Sequence, residues 1–198
     1  MCKSETPNPT PPSSGAGACP PGSTTPCPGA LSEAQANQLF RDLASQPQIP
    51  FDYPDDCCYS RAHEMSRIMN ERGIPNRKVW NYGNTYPSGA SLRATTPNHP
   101  SGQVNWRYHV APVVQVRGND GVTRDMVMDP SLFDRPVTVD EWAARQQDPA
   151  ARREITDPKY YFRGPGNSPA VEDPAYSDTN ATLARHRASR DLRRATSP

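Results

Sequence analysis

The sequence predicts a single domain that combines α-helices with antiparallel β-strands, and two stretches of the chain carry this prediction. In the first, residues 53–72, a proline and two aspartates precede a run rich in Ala, Met, Arg and Glu that stops at Gly73. This is the composition of a helix with its start and stop signals. In the second, residues 104–128, alternating segments flank the turn Gly-Asn-Asp-Gly at 118–121, which is typical of a β-hairpin.

Other elements follow from their local patterns. In chain order we predict a helix over 32–44 that opens with a capping box, an extended connector over 47–54, a strand over 77–82, a long loop over 83–102, a short helix over 138–147, an aromatic strand at 160–162 and a final helix over 179–195. A chain of 198 residues has room for one core of this size plus tails.

The composition argues against several classes of function. A formal net charge of +1 gives no electrostatic case for a nucleic-acid or membrane partner. Five arginines between 185 and 194 make the C-terminus locally basic, and we interpret this segment as a solvated helical tail. No apolar run approaches the roughly 20 residues that span a bilayer, and the N-terminus lacks the apolar middle of a secretory signal.

Residues 1–30 are predicted to be a disordered leader. They hold eight of the 24 prolines, with Ser, Thr and Gly between them, and such a segment has too little apolar surface to offset the entropy of ordering. Five cysteines, two of them adjacent, make a poor disulfide framework. Cys19 and Cys27 are the pair that an oxidising environment would join.

Cys58 is the predicted nucleophile. It falls with Cys57 in the first turn of the predicted helix, where free backbone N–H groups and the helix dipole favour negative charge, so we expect its thiol to be shifted toward thiolate. Helical spacing puts Cys58 on the core-facing side with Ala62 and Met65, whereas Cys57 shares a face with Arg61. The alternative is that Cys58 is a small buried hydrophobic side chain.

The predicted hairpin brings a histidine and an aspartate together. Paired residue numbers in an antiparallel hairpin have a constant sum, about 238 or 239 for a turn centred on Asn119 and Asp120. His109 and Asp129 meet this condition, so we expect them to be cross-strand neighbours. A carboxylate in this position fixes the imidazole tautomer and stabilises the imidazolium, which is the orienting half of a nucleophilic triad. The alternative is a purely structural His–Asp pair.

A zinc site is another use of the same residue types. Cys57, Cys58, His63 and His109 could be assembled around one ion, but adjacent cysteines do not match the spacing of roughly two to four residues that zinc ligands show. The sequence also contains no glycine-rich phosphate loop and no internal repeat. We therefore predict no metal and no organic cofactor.

Several stretches of the chain resemble the protein-glutaminases, a family of secreted bacterial enzymes that deamidate glutamine side chains within proteins. These stretches run in the family's order: I-P-F-D-Y-P-D-D-C-C-Y-S-R-A-H-E-M at 49–65, Y-G-N at 82–84, W-R-Y-H-V-A at 106–111, D-P-S-L-F at 129–133 and Y-Y-F-R-G-P-G-N-S at 160–168. The cysteine and D-P-S-L-F blocks are the specific ones. The resemblance divides the chain into a leader (1–30), a catalytic domain (31–185) and a basic tail (186–198).

This resemblance implies an α+β fold in which an antiparallel sheet packs against the cysteine-bearing helix, as in papain-like peptidases and transglutaminases. It places Cys58 on the nucleophile, His109 on the general base and acid, and Asp129 on the residue that orients the histidine. The implied reaction converts protein-bound glutamine to glutamate and ammonia through a cysteine thioester, without a cofactor. The implied partner is a protein substrate with an exposed glutamine.

Two alternatives to a deamidase stay open at this point. A transglutaminase or a cysteine peptidase would use the same triad, because the triad specifies a nucleophile and a base but not the acyl acceptor. A binding module that kept the scaffold without activity is the other alternative.

The sequence departs from the family in features that bear on delivery. Cys57 stands where the family usually has glycine, and neither the family's disulfide cysteines nor its long inhibitory pro-region has a counterpart. We therefore expect a monomeric effector or toxin that is secreted or delivered without a classical signal peptide, with a cognate inhibitor or immunity protein as a second partner. A cytoplasmic enzyme is the alternative.

Overall fold

The computed structural model describes residues 20, 22–24 and 27–196. Most of the predicted leader therefore lies outside the described residues. Cys27 is disulfide-bonded, while Cys19, its predicted partner, lies outside them. None of the described helices is both long and apolar enough to cross a membrane.

The described residues form four helices and ten strands. The helices are α1 (Glu33–Ala44), α2 (Cys58–Glu71), α3 (Val139–Ala144) and α4 (Ser177–Thr196). The strands are β1 (Leu31–Ser32), β2 (Arg77–Tyr82), β3 (Leu92–Thr95), β4 (Gln103–Trp106), β5 (Tyr108–Arg117), β6 (Thr123–Val127), β7 (Val137–Thr138), β8 (Arg152–Thr156), β9 (Tyr160–Arg163) and β10 (Ala170–Glu172).

A largely antiparallel sheet lies at the centre of the domain. Its strand order is β7-β6-β5-β2-β8, and the short β1 adds to β5 as a parallel strand. β5 pairs with β2 over 108–113 and with β6 over 113–117. Because pairing with β6 begins only at Val113, the first residues of β5 have a strand on one side and the loop after β6 on the other.

Helices cover both faces of this sheet. On one face α1 and α2 pack against β5 in the larger core cluster, which includes Phe40, Leu43, Met65, Met69, Val114 and Val116. On the other face Trp142 of α3 packs with Val79, Ala111, Val113, Val127 and Val137. Even-numbered and odd-numbered residues of β5 thus serve opposite faces, as strand alternation requires. The predicted α+β class, with the sheet against the cysteine-bearing helix, is confirmed.

Two predicted elements are wrong in detail. The long strand expected over 104–116 is divided at Arg107 into β4 and β5, because β4 leaves the central sheet to pair with β3. β3 itself lies within residues 83–102, which we expected to be a loop. Pro112 sits where the pairing with β6 ends, so its missing N–H costs no ladder bond, and its carbonyl accepts from Met128 N at 2.9 Å.

The C-terminal helix crosses the expected tail boundary without a break. α4 runs unbroken from Ser177 to Thr196 and packs along α2. Its arginines contact the segment that leads into the cysteine helix, including Asp52 and Asp55. These arginines are therefore tertiary contacts and not only a solvated tail.

Candidate active site

Cys57 and Cys58 sit at a sharp entry into α2. The helix begins at Cys58, and Cys57 is its N-cap, with φ of 59° in the left-handed region and no side-chain cap. The expectation that both cysteines lie inside the first turn, capped by the preceding aspartates, is therefore wrong for Cys57. The left-handed residue swings the chain so that Cys58 faces Ala62, Trp80 and Val110. Cys57 instead accepts a hydrogen bond from Arg61 at 3.4 Å, so the predicted division between the two faces is confirmed.

The expected thiolate is not what the structure supports. Burial raises the pKa of the Cys58 thiol to about 12, although the charge of Arg61 and a hydrogen bond from the backbone of Val110 act in the opposite direction. Burial likewise raises the pKa of Cys57. The favourable field of a helix start is outweighed here because the sulfur is enclosed by protein. The resting Cys58 is a neutral thiol that requires a base.

The end of β6 leaves a backbone donor for this thiol. Val110 and Pro112 turn their backbone groups to the same side of β5, since strand residues two apart are equivalent. Pro112 is still bonded there to Met128, but β6 has ended before Val110 is reached. The Val110 N–H therefore donates to the Cys58 sulfur. This contact places the thiol beside the residue that follows His109.

His109 is held on three sides. Its Nε2 lies 2.8 Å from Asp129 Oδ2, and because an ionised carboxylate only accepts, Nε2 carries the proton in that contact. The ring stacks on Trp106 at 4.3 Å with an interplanar angle of 6°, and on Trp142 at 5.5 Å with an angle of 22°. Nδ1 is buried and has no hydrogen-bond partner in the part of the chain that the structure describes. Nδ1 is thus the nitrogen left for proton transfer.

Asp129 accepts hydrogen bonds at both oxygens. Oδ2 accepts hydrogen bonds from His109 Nε2 and Trp142 Nε1, each at 2.8 Å. Oδ1 receives the Ser131 hydroxyl at 2.5 Å and the Ser131 N–H at 3.2 Å. Burial would raise the pKa of this carboxyl, but the charge on His109 and the hydrogen bonds from His109, Ser131 and Trp142 lower it to about 2. Asp129 is therefore ionised at neutral pH.

The His109–Asp129 contact is made, but not by the predicted ladder register. The observed pairs run from Val113↔Val127 to Arg117↔Thr123, so the turn is centred on Asp120 and not between Asn119 and Asp120. The same register would put Asp129 opposite Ala111. Asp129 instead lies beyond the end of β6 and begins a turn, in which its carbonyl accepts from Leu132 and Phe133. This turn, and not strand pairing, aims the carboxylate at His109.

Aromatic side chains surround the thiol. The cluster that contains Cys58 is built from Tyr59, Trp80, Tyr82, Tyr86, Tyr108 and Phe162. Sequence reasoning did not identify these residues, nor Trp106 and Trp142 against His109. Trp106 stands three residues before His109, but no local signal connects Trp142 with Asp129.

The four residues of the zinc alternative are not brought together. His63 lies elsewhere on α2, where its Nδ1 accepts from Lys78 Nζ at 2.7 Å and its Nε2 contacts the Asp173 carbonyl at 3.3 Å. Among the described residues, no group of three or more His, Cys, Asp or Glu side chains is arranged to hold a metal ion. Cys57 and Cys58 are both free thiols.

Known proteins show the same fold and related sequence. A family model described as Glutaminase matches residues 36–146. A crystal structure of protein-glutaminase is 31% identical with a TM-score of 0.65, covering 79% of this chain and 88% of that chain. The NMR structure of protein-glutaminase from Chryseobacterium proteolyticum is 32% identical with a TM-score of 0.66, covering 78% and 86%. A crystal structure of pro-protein-glutaminase is 31% identical with a TM-score of 0.65, covering 79% of this chain and 58% of that one. A search of curated proteins gave no match.

Proposed function

The chain belongs to the protein-glutaminase family, and from this membership we propose that Cys58, His109 and Asp129 carry out its reaction. The protein is a protein-glutamine glutaminase, a hydrolase that deamidates glutamine side chains in proteins. The observation that carries the assignment of residues is the buried Nδ1 of His109, which has no hydrogen-bond partner among the described residues. Asp129 orients the same imidazole ring through its other nitrogen, Nε2. The next residue in the chain, Val110, contacts the Cys58 thiol through its backbone N–H.

In the first half of the reaction, His109 acts as the base. Because Cys58 rests as a neutral thiol, its proton passes to His109 Nδ1 as the sulfur attacks the glutamine side-chain carbonyl. The ionised Asp129 stabilises the imidazolium that forms. His109 then returns the proton to the leaving nitrogen, ammonia departs, and the acyl group stays on Cys58 as a thioester.

In the second half, the neutral His109 takes a proton from water as the water attacks the thioester. The imidazolium gives this proton to the departing Cys58 sulfur, which restores the thiol and leaves glutamate in the substrate protein. Both tetrahedral intermediates need hydrogen-bond donors for their oxyanion. The Cys58 N–H, at the first residue of α2, has no partner within the helix and supplies one.

Mass spectrometry of a glutamine-rich protein after incubation tests the reaction and its residues together. Wild type should add about one mass unit per converted glutamine and release ammonia, whereas cross-links or fragments would indicate transglutamination or proteolysis. Cys58→Ala should abolish conversion. Asp129→Asn, which keeps Oδ1 for Ser131, should lower kcat by about 10³-fold or more. Full activity in either variant would contradict the assignment.

We also propose that the enzyme is exported and acts as an effector or toxin on a protein of another cell. The disulfide at Cys27 supports export over the cytoplasmic alternative, since disulfides persist in oxidising environments. Expression in a bacterial cytoplasm tests the toxic role. Growth arrest with wild type but not with Cys58→Ala supports it, and equal growth of both strains argues against it.

A further inference from the structure

Trp142 of α3 makes two contacts with the proposed triad at once. Its indole Nε1 donates to Asp129 Oδ2 at 2.8 Å, the same oxygen that His109 contacts. Its ring stacks on the His109 imidazole at 5.5 Å. The side chain is fully buried, so both contacts are made away from solvent. The mechanism assigned to Cys58, His109 and Asp129 does not use this residue.

These two contacts act on different properties of the triad. The indole N–H restricts the Asp129 carboxylate to the orientation in which Oδ2 points at His109 Nε2. It also stabilises the negative charge on that oxygen by donating a hydrogen bond to it. The ring also stacks on the imidazole, as the Trp106 ring does at a shorter distance. The two stacked indoles restrict tilting of the imidazole ring, and the hydrogen bond to Asp129 restricts its rotation within the ring plane.

The turn that follows α3 contacts a neighbouring strand through Gln146. Gln146, four residues after Trp142, donates from Nε2 to the Trp142 carbonyl at 3.0 Å. Its Oε1 accepts from Asn81 Nδ2 at 3.0 Å. Asn81 is the cross-strand partner of His109 in the β2–β5 ladder. The turn after α3 therefore contacts β2 beside the histidine, while Trp142 of α3 stacks on the histidine itself.

We propose that Trp142 is a positioning residue of the reaction, which fixes the His109–Asp129 pair through its indole N–H. This inference rests on the proposed function of the triad. Removing the N–H should leave substrate binding intact and slow the chemical steps. We expect a loss in kcat of about 10-fold to 100-fold with KM unchanged, the range seen when an outer-shell hydrogen bond to a functional side chain is removed.

Two substitutions at position 142 separate the hydrogen bond from packing. Trp142→Phe keeps an aromatic ring and removes the N–H. L-3-benzothienylalanine, placed at 142 by nonsense suppression, keeps the full bicyclic shape and replaces N–H by sulfur. Both should show the lower kcat. If the benzothienyl variant has wild-type kcat, then shape alone matters and the inference is overturned.

Tyr161→Phe is the matched control. Its hydroxyl is buried between Ser60 and Thr182, at 3.0 and 3.3 Å, away from His109 and Asp129. This variant should lose a comparable buried hydrogen bond and retain kcat. NMR of the His109 Nε2 proton adds a readout that a stability defect does not move. We expect this resonance to shift in both Trp142 variants and not in Tyr161→Phe, and an unshifted resonance in Trp142→Phe would overturn the inference. Inactivity of wild type itself would instead overturn the proposed function.

Discussion

At the scale of single residues, Cys57 shows how one backbone conformation prepares the site. Its φ of 59° is left-handed, a region that costs an L-residue roughly 1–2 kcal/mol and that glycine adopts freely. The strain turns the chain so that Cys58 points at the sheet. The side chain of Cys57, buried against Arg61, is not required for this turn, because glycine adopts the same backbone conformation freely.

Replacing Cys57 by glycine should therefore preserve activity and relieve the left-handed strain. This relief is offset by the greater entropy of glycine in the unfolded chain and by the loss of a buried sulfur. Because Cys57→Ala loses the same sulfur and keeps the strain, we expect Cys57→Gly to exceed it by about 0.5–1 kcal/mol in the free energy of unfolding, measured by urea denaturation. Cys57→Ala, which cannot relieve the strain, is the control. Loss of activity in Cys57→Gly but not in Cys57→Ala would mean that strain at this position is needed for function.

At the scale of elements, the C-terminal half of α4 holds the segment that delivers the nucleophile. Arg193 pairs with Asp55 at 2.7 Å and its guanidinium lies 4.1 Å from the Tyr53 ring centroid. Arg190 and Arg194 both reach Asp52. These pairs are partly exposed, so each one contributes little to stability alone. Their shared target is the turn that ends at Cys57, so their effect should appear in the site more than in the fold.

Replacing Arg193 by methionine should loosen this turn. We expect a several-fold loss in kcat, a change of less than about 1 kcal/mol in unfolding free energy, and a weaker dependence of activity on salt than in wild type, because salt screens the pair that the variant lacks. Initial rates across a salt series provide the measurement.

Arg185→Met is the control for Arg193→Met. It removes an arginine from the same helix whose side chain donates to Thr182 and, among the described residues, forms no ion pair with Asp52 or Asp55. If the two variants show the same activity and the same salt dependence, α4 does not position the nucleophile.

At the scale of the whole molecule, a buried lysine joins the cysteine helix to the sheet. Lys78 of β2 is fully buried, and its Nζ donates to His63 Nδ1 at 2.7 Å and to the Tyr160 carbonyl at 2.6 Å. Burial lowers the pKa of Lys78 from 10.5 to about 7, with the charge of Asp157 opposing the shift. The folded protein therefore releases a proton near neutral pH that the unfolded chain keeps until about pH 10.

This difference makes the stability of the protein rise with pH above neutrality. Between pH 7 and 8 the unfolded state binds more protons at Lys78 than the folded state does, so the free energy of unfolding should increase by about 1 kcal/mol over this unit. Above about pH 8 the two buried cysteines, whose pKa values burial raises, oppose this trend, and buried tyrosines such as Tyr82 do so at higher pH. Urea denaturation at pH 7, 7.5 and 8 measures the slope.

Lys78→Met should flatten this slope. Lys159→Met should not, because that lysine is exposed and paired with Glu172 at 2.8 Å. An equal slope in wild type and Lys78→Met would show that Lys78 is charged in the folded protein throughout this range.

Much of this protein was determined by local signals in its sequence. The capping box at Ser32 and Gln35 is formed, the helix stops at Gly73 as predicted, and the Gly-Asn-Asp-Gly turn joins the two predicted strands, although its centre is shifted to Asp120. The residue patterns around Cys58, His109 and Asp129 are sufficient to select these three as candidate site residues. Such features are readable because caps, turns and side-chain periodicity depend on residues that are close in the chain.

Tertiary structure decided what depends on residues distant in sequence. Whether Cys58 rests as thiol or thiolate depends on how completely other elements bury it, and burial outweighed the helix start that favoured charge. The register of the β5–β6 pair differs from the predicted sum of paired residue numbers, so strand pairing does not place Asp129 opposite His109. The turn beyond the end of β6 brings the carboxylate to the histidine instead. Trp142 reached Asp129 only because α3 packs on the face of the sheet that His109 occupies. No local pattern encodes these three outcomes, since each is the result of packing between elements that the chain brings together only on folding.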